Sequence, residues 1–453
     1  MTLATVPQYG SSRATERGEQ AVVVGAGIAG LLAARVLTDH FETVTVVDSD
    51  SLVDEPVARR GVPQGHHPHA LLEAGRATLV DLFPGYDDDL VAAGGVVVDF
   101  ASDVRFYSEG GFLAHSHDRL ETVSASRPLI EQILRRHVSG LEAVRVRPDC
   151  QLVDYLLDDT ATTVEEVRLR DRSGQEEFVT DLVVDATGRA SRTPGWLERH
   201  GYTPPAVDDV RIDLAYSTVT IERPTDDRRT VLVPPSAPRT RGGMAAPIEG
   251  DRWVVNMQGM HGDTPPTDVA GFTAFAASLP TPAVERLLEA QPWVSDELEH
   301  YPFPSNRRHR YATLERFPEG LVVVGDAIAS FNPVYAQGMS VAALEALVLH
   351  DALAAGGCEN LALRFFDRIE SVVDVAWRLA AGSDFAFAQT TGPKPRGTDL
   401  VDWYLARLIR RAHTDSTLAG TFMRVLAMEQ PPSTLFRPGV VWRVFGPTRT
   451  VES

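Results

Sequence analysis

The pattern of apolar and polar positions sets out the first structural unit directly. The run QAVVVGAGIAGLLAARVLTDHFETVTVVDSD passes from a β-branched stretch through a glycine turn into Leu31, Ala34, Val36 and Leu37 at helical spacing. A second alternating β run follows, so the segment reads as strand, tight turn, helix, strand, the start of a parallel sheet. Residues 51–70 are loop-like, and a helix is predicted from near His69 past Leu82. Next come strands at VVVDF and VRFYSEGGFLAHS, the latter a hairpin turning at Glu109-Gly110-Gly111. RPLIEQILRRHV reads as a helix with Leu129, Ile133 and Leu134 on one face. Strands around 144–146, 152–156 and 164–169 lead to DLVVDATGRASR.

Residues 210–261 change character. RIDLAYSTVTIER, RTVLVPP and MAAPIEGDRWVVNMQG are antiparallel-type strands, the last pair turning at Glu249-Gly250-Asp251, and they predict a separate sheet that covers a ligand. Helices from about Val269 to Leu279 and from Ala283 to Ala290 close that region. The nucleotide-binding pattern returns at GLVVVGDAIAS, and everything after about 351 reads as amphipathic helices ending in a Pro-rich tail. There is no internal repeat.

Composition narrows the function classes. The opening MTLATVPQYGSSRATERGEQ lacks the apolar core of a secretory signal and reads as a polar, disordered tail. No segment offers the roughly 18 uninterrupted apolar residues of a membrane span, and a cytoplasmic protein is expected. A formal charge of −19 disfavours nucleic acid and anionic membranes and favours small-molecule chemistry. Cys150 and Cys358, the two cysteines, give neither a disulfide framework nor a metal site.

Gly25-Ala26-Gly27-Ile28-Ala29-Gly30 carries the clearest chemistry. The first glycine permits the tight turn, the second lets backbone approach a pyrophosphate, and the third allows close helix–strand packing. The helix N-terminus adds free N–H groups and partial positive charge. Asp48, ending the second strand, is placed to accept from ribose hydroxyls. A packing turn is the plain alternative, and the motif leaves NAD and FAD equally open.

A second motif separates them. Leu321-Val322-Val323-Val324-Gly325-Asp326-Ala327 is followed by Pro333, Gly338-Met339-Ser340 and an alanine-rich helix. It resembles the GD motif of the FAD-dependent monooxygenase superfamily, whose aspartate binds the ribityl chain of FAD; the other reading of Asp326 is a helix cap. The resemblance implies that N–H groups near Gly338 and Met339 face the flavin pyrimidine, with Pro333 at the oxygen-reacting edge. Tyr335-Ala336-Gln337 departs from the commoner loop. Arg59-Arg60-Gly61-Val62-Pro63-Gln64-Gly65-His66-His67-Pro68-His69 is similar to a stretch near the flavin in epoxidases of polyether and polyketide pathways. Its histidines read otherwise as a polar loop cluster, and no metal is expected. Ser126-Arg127-Pro128-Leu129 resembles the arginine segment that reaches the FAD diphosphate, and Leu152 is counted among the cofactor contacts.

Asp185-Ala186-Thr187-Gly188 stands where aromatic hydroxylases carry an Asp-Gly motif. No second glycine motif serves NADPH, so electrons are expected from NAD(P)H held transiently or from a separate flavin reductase. The halogenase Trp-x-Trp-x-Ile-Pro signature is absent, and the sole lysine, Lys394, lies far from the predicted interdomain site. The resemblance thus implies an α/β fold of the aromatic-hydroxylase type: an FAD-binding Rossmann-like domain, an inserted antiparallel substrate domain and a C-terminal helical region. The expected boundaries are a disordered tail at 1–19, an FAD-binding domain at 20–100, 124–205 and 306–350, a substrate domain at 101–123 and 206–305, and helices at 351–453. The activity implied is monooxygenation of an apolar polyketide-like intermediate, most simply alkene epoxidation or hydroxylation through a flavin C4a-hydroperoxide. An FAD-containing redox-neutral cyclase is the alternative, and a flavin-containing binding module a third.

Overall fold

A computed structural model describes residues 1–117 and 119–447. A parallel sheet forms the base, with strands in the order Leu321–Val323, Leu182–Asp185, Gly18–Val24, Phe41–Val47 and Val144–Arg147. Its central strands read almost continuously apolar because both faces are covered. Helix Ile28–Leu37 covers one part, together with Arg127–Ser139 and Gly338–Gly356. Gly338–Gly356 is long and apolar enough to cross a membrane, but most of it is buried inside the protein as a core helix.

An eight-stranded sheet stands over this base, in the order Ala329–Ser330, Glu299–His309, Val207–Glu222, Arg252–Gly259, Arg241–Ile248, Thr230–Val233, Val104–Ser108 and Gly111–Phe112. Its two predicted turns occur where left-handed residues allow them, at Glu109 (φ 51°) with Gly110 and at Gly250 with Asp251 (φ 52°). Helices Val269–Ala277 and Ala283–Ala290 seal its outer face over Trp253, Val255 and Met257. The C-terminal helices Thr398–Ala412 and Ser416–Leu426 bury Leu408, Leu418 and Phe422 against Val104 and Phe106.

Two expectations are corrected. The opening stretch is ordered: Thr2 and Val6 are buried, and Leu3 and Ala4 N–H donate to Met428 and Glu429 carbonyls at 3.0 and 3.1 Å. Its sparse apolar residues, Met1, Leu3 and Val6, find the core, which a composition reading of a polar tail overlooks. The helix expected from His69 begins at Glu73, because Leu72 is extended (φ −66°, ψ 161°) and the residues before it turn into a cavity.

Candidate functional site

The glycine turn is built as its chemistry requires. Gly25 has φ +106°, and a Cβ there would sit 2.6 Å from the Ala186 carbonyl oxygen. A Cβ on Gly30 would fall 1.8 Å from Gly25 O, so Gly30 serves strand–helix packing. Gly27 differs: a Cβ there would meet only Arg59, at 3.8 Å, and the space beside it is cavity.

That cavity has a volume of about 640 Å3 and runs from Asp48 and Arg59, past Gly25, Gly27, Ile28 and Ala29, to Asp326, Gly338 and Met339. Arg127 and Leu152 also line it. A second chamber of about 480 Å3 adjoins it and shares Arg127, Gly188, Asp326, Gly338 and Met339 with it. Pro333 lies in the wall of this second chamber. The structure thus brings the candidate residues from both ends of the chain to one elongated, two-chambered site.

Three candidates stand apart from the cavity wall. Arg60 is exposed; its neighbour Arg59 turns inward and is held by Asp48 (3.1 Å), Asp50 (2.9 Å) and Glu131, leaving Arg60 to face solvent. Ala26 is fully buried and spends its N–H on Asp48 Oδ2 at 2.7 Å. Gly30 lies behind the turn. Asp48 also departs from the simple expectation, since it accepts from Ala26 N–H, Asp50 N–H (2.8 Å) and Arg59. Its acceptor sites are taken up by the protein, and Arg59 is the polar group beside it at the cavity. Burial works against the Arg59 charge, but Glu131, Asp48 and Asp50 together hold its proton more firmly than water does.

Asp326 is exposed, its side chain opening onto the cavity from a turn where Gly325 has φ +68° and where its neighbours Gly325 and Ala327 are buried. Burial raises its carboxyl above the ordinary range, and Arg127 and Arg189 oppose that rise. Beneath it Glu345 is fully buried, accepts Gly325 N–H at 2.6 Å and is pushed up to about 8 by burial. Asp185, which precedes Ala186-Thr187-Gly188, faces inward. It accepts from Thr187 N–H and Oγ1, Ser191 Oγ and Thr193 Oγ1 at 2.5 to 2.9 Å and holds the Thr187-Gly188 turn that edges both chambers.

The donors for an anionic, extended ligand are present. Helix Ile28–Leu37 points its first-turn N–H groups at the cavity, and Gly338–Gly356 does the same at the junction. Arg127 Nε is buried without a partner in this wall. The open space beside Gly27 and the two helix N-termini fit a diphosphate-bridged dinucleotide, with Arg127, paired to Glu131 at 3.2 Å, in the same wall.

The second chamber mixes aromatic and polar side chains. Tyr216, Tyr301, Phe303 and Met244 alternate with His67, His69, Asn256, Gln258, Arg189 and Arg307. Tyr216 and Tyr301 stack with centroids 5.7 Å apart. Arg189 lies 4.9 Å over Phe303 and is tied to Ser305 Oγ at 3.1 Å and to Ser330. None of these strand residues was singled out from sequence; Arg189 sat inside a stretch read for its glycine. The loop carrying Pro333 rests on a buried net: Asp384 accepts from Asn306 Nδ2 (2.8 Å) and Asn332 Nδ2 (2.9 Å), and Asn306 Oδ1 accepts Asn332 N–H (2.6 Å). Burial pushes the Asp384 carboxyl up to about 7.

The fold is shared with flavin-dependent oxygenases and halogenases. It aligns with the flavin-dependent brominase Bmp2 at a TM-score of 0.64 and 15% identity, over 94% of this chain and 98% of that one. PqsL, a probable FAD-dependent monooxygenase from Pseudomonas aeruginosa, aligns at 0.60 and 19% identity over 82% and 98%. The p-nitrophenol 4-monooxygenase PnpA from Pseudomonas putida DLL-E4 aligns at 0.61 and 18% identity over 92% and 100%. These likenesses establish an FAD-binding monooxygenase fold with a helical C-terminal region. No family model matches the sequence. At 34% identity over 428 residues, covering 90% of this chain and 89% of its relative, the chain belongs to the family of Protein Rv3254 from Mycobacterium tuberculosis (strain ATCC 25618 / H37Rv).

Proposed function

We propose that the protein is an FAD-dependent monooxygenase that adds one oxygen atom to a small organic substrate held in the second chamber. One observation carries this reading: the two chambers meet at Asp326, Gly338 and Met339, so a dinucleotide lying in the first has its far end against a molecule in the second. The diphosphate would lie by Gly27 and the N-terminus of Ile28–Leu37, and the ribityl hydroxyls by Asp326. Bound and reduced FAD would supply the activated oxygen. The first-turn N–H groups of Gly338–Gly356 favour negative charge at the junction, while Pro333 and Val334 narrow it against water. The substrate chamber supplies orientation, and no acid–base pair need act at a defined substrate atom.

The motif 59–69 supports alkene epoxidation or hydroxylation of a polyketide-like intermediate, with electrons from transient NAD(P)H or a separate reductase. Halogenation receives no support from a lysine in the site: Lys394 pairs with Asp399 at the exterior. The test is cofactor release followed by isotope labelling. The denatured protein should yield FAD, and turnover of a panel of polyenes and phenols under heavy-isotope dioxygen should give product carrying one labelled atom. Product of unchanged mass formed anaerobically with oxidised FAD overturns the proposal.

A further inference from the structure

The 61–69 loop places two histidines in the substrate chamber in opposite hydrogen-bonding states. His67 is 6% exposed and sits edge-on to Tyr216, with centroids 4.7 Å apart. Its Nδ1 lies 2.7 Å from Thr218 Oγ1, which accepts Asn256 Nδ2–H, also at 2.7 Å. With Asn256 donating, the remaining hydroxyl proton of Thr218 points to His67 Nδ1 as its acceptor, which leaves the imidazole proton on Nε2. His69 is the reverse. Its Nδ1 lies 2.9 Å from the His67 carbonyl, which only accepts, so Nδ1 carries the proton and Nε2 is a bare acceptor.

Burial holds both rings neutral: it pushes His67 down to about 4, with His66 and His300 adding to it, and His69 down to about 3, with Arg127 adding to it. Neither Nε2 has a protein hydrogen-bond partner, and neither is sealed from the cavity. Two further groups in the same wall lack partners. Gln258 Oε1 and Gln337 Oε1 are buried and unpaired, on side chains 6% and 2% exposed. Both glutamine oxygens are closed off from the chamber, so the groups free to meet a ligand there are His67 Nε2 and His69 Nε2, one donor and one acceptor, which suit a ligand with hydrogen-bonding groups of both kinds. The stacked Tyr216 and Tyr301 supply a flat apolar wall beside them.

We propose that His67 Nε2–H and His69 Nε2 are a donor and acceptor pair that binds a carbonyl and a hydroxyl of the substrate, which is a planar fused-ring compound carrying both groups. This rests on the second chamber being the substrate site of the monooxygenase. It replaces the apolar substrate expected from sequence with an oxygenated one. Thr218 is a positioning residue that fixes the His67 tautomer.

The test measures binding to the oxidised protein with its cofactor and no reductant, using xanthone, 1-hydroxyxanthone and 3-hydroxyxanthone as probes. At least one hydroxyxanthone should bind about tenfold more tightly than xanthone, the worth of one hydrogen bond of about 1.4 kcal/mol. His69→Phe should abolish that preference, read as the ratio of hydroxyxanthone to xanthone affinity within the same protein, whatever happens to xanthone affinity itself. Thr218→Val should weaken all three probes several-fold, and Thr218→Ser should restore them, which a purely structural role for the strand would not produce. Equal affinity for xanthone and both hydroxyxanthones, a preference that survives His69→Phe, or no binding of any probe overturns the proposal. Since no oxygen is consumed, these results stand apart from the labelled-dioxygen test, whose failure would remove the activity and not the recognition.

Discussion

Replacing Asp384 with asparagine isolates the support of the Pro333 loop. Asp384 closes helix Leu361–Asp384, is fully buried, and receives amide N–H bonds from Asn306 and Asn332 through separate oxygens. An asparagine there presents an NH2 to one of those donors, which loses one buried hydrogen bond and costs about 1–3 kcal/mol. The pH dependence is more diagnostic. Burial raises the folded-state carboxyl to about 7 from its ordinary 3.8, so the folded form keeps a proton that the unfolded chain has released. Its stabilising effect is full below the unfolded value and is lost as pH rises towards 7, with a slope of about 1.4 kcal/mol per pH unit. Glu345, raised to about 8, works in the same direction and is untouched by the substitution. Urea denaturation at pH 5, 6 and 7 should therefore show wild-type stability falling relative to Asp384→Asn by about 2–3 kcal/mol across the range. Parallel pH profiles for the two proteins would refute the assignment of a buried, proton-bearing carboxyl to this position.

Three paired substitutions test the rest of the site. Asp326→Ala should keep its thermal midpoint as apoprotein but lose about 1.5–3 kcal/mol of FAD affinity on titration, whereas Asp185→Ala, which strips two hydrogen bonds from Thr187 and one each from Ser191 and Thr193, should lower the midpoint markedly. Gly27→Ala should fold normally and bind FAD at least tenfold more weakly, since its methyl enters the cavity. Gly30→Ala should be recovered poorly or with a much reduced midpoint, because its Cβ meets Gly25 O. Arg59→Ala should destabilise by about 3–5 kcal/mol in chemical denaturation, leaving Asp48 and Asp50 without their cation and Glu131 with Arg127 and Arg135 alone, while Arg60→Ala should stay within about 0.5 kcal/mol of wild type.

What the sequence disclosed was what is local. Gly25 and Gly325 announce themselves because a left-handed turn between strand and helix tolerates little else, and the Ala283–Ala290 helix and the Glu249-Gly250-Asp251 turn follow from short-range pattern. Asp48 was visible as the last residue of an alternating strand, but its saturation was not, because Arg59 and Glu131 reach it from a loop and a helix far along the chain. The ordering of Met1, Leu3 and Val6 escaped notice for the same reason, their partners lying near Met428. The polarity of the second chamber is the clearest case. Arg189, Tyr216 and Gln258 come from three separate segments, and each alone reads as an ordinary strand or loop residue, whereas His67 and Gln337 lie in stretches the sequence already sets near the flavin. Only the fold shows that they face one space.

The base sheet takes its outermost strand, Leu321–Val323, from far beyond the other four and places it beside Leu182–Asp185. Asp326 and the junction helix follow directly after it. During synthesis, therefore, the glycine turn at Gly25 emerges early, well before the end of the groove formed by Gly325, Asp326, Gly338 and Met339. A nascent chain arrested before Leu321 presents the glycine-turn end of the groove without its junction end, so completion of the cofactor site is an event of late translation, coupled to closure of the sheet edge instead of to the folding of the first strand–turn–helix unit.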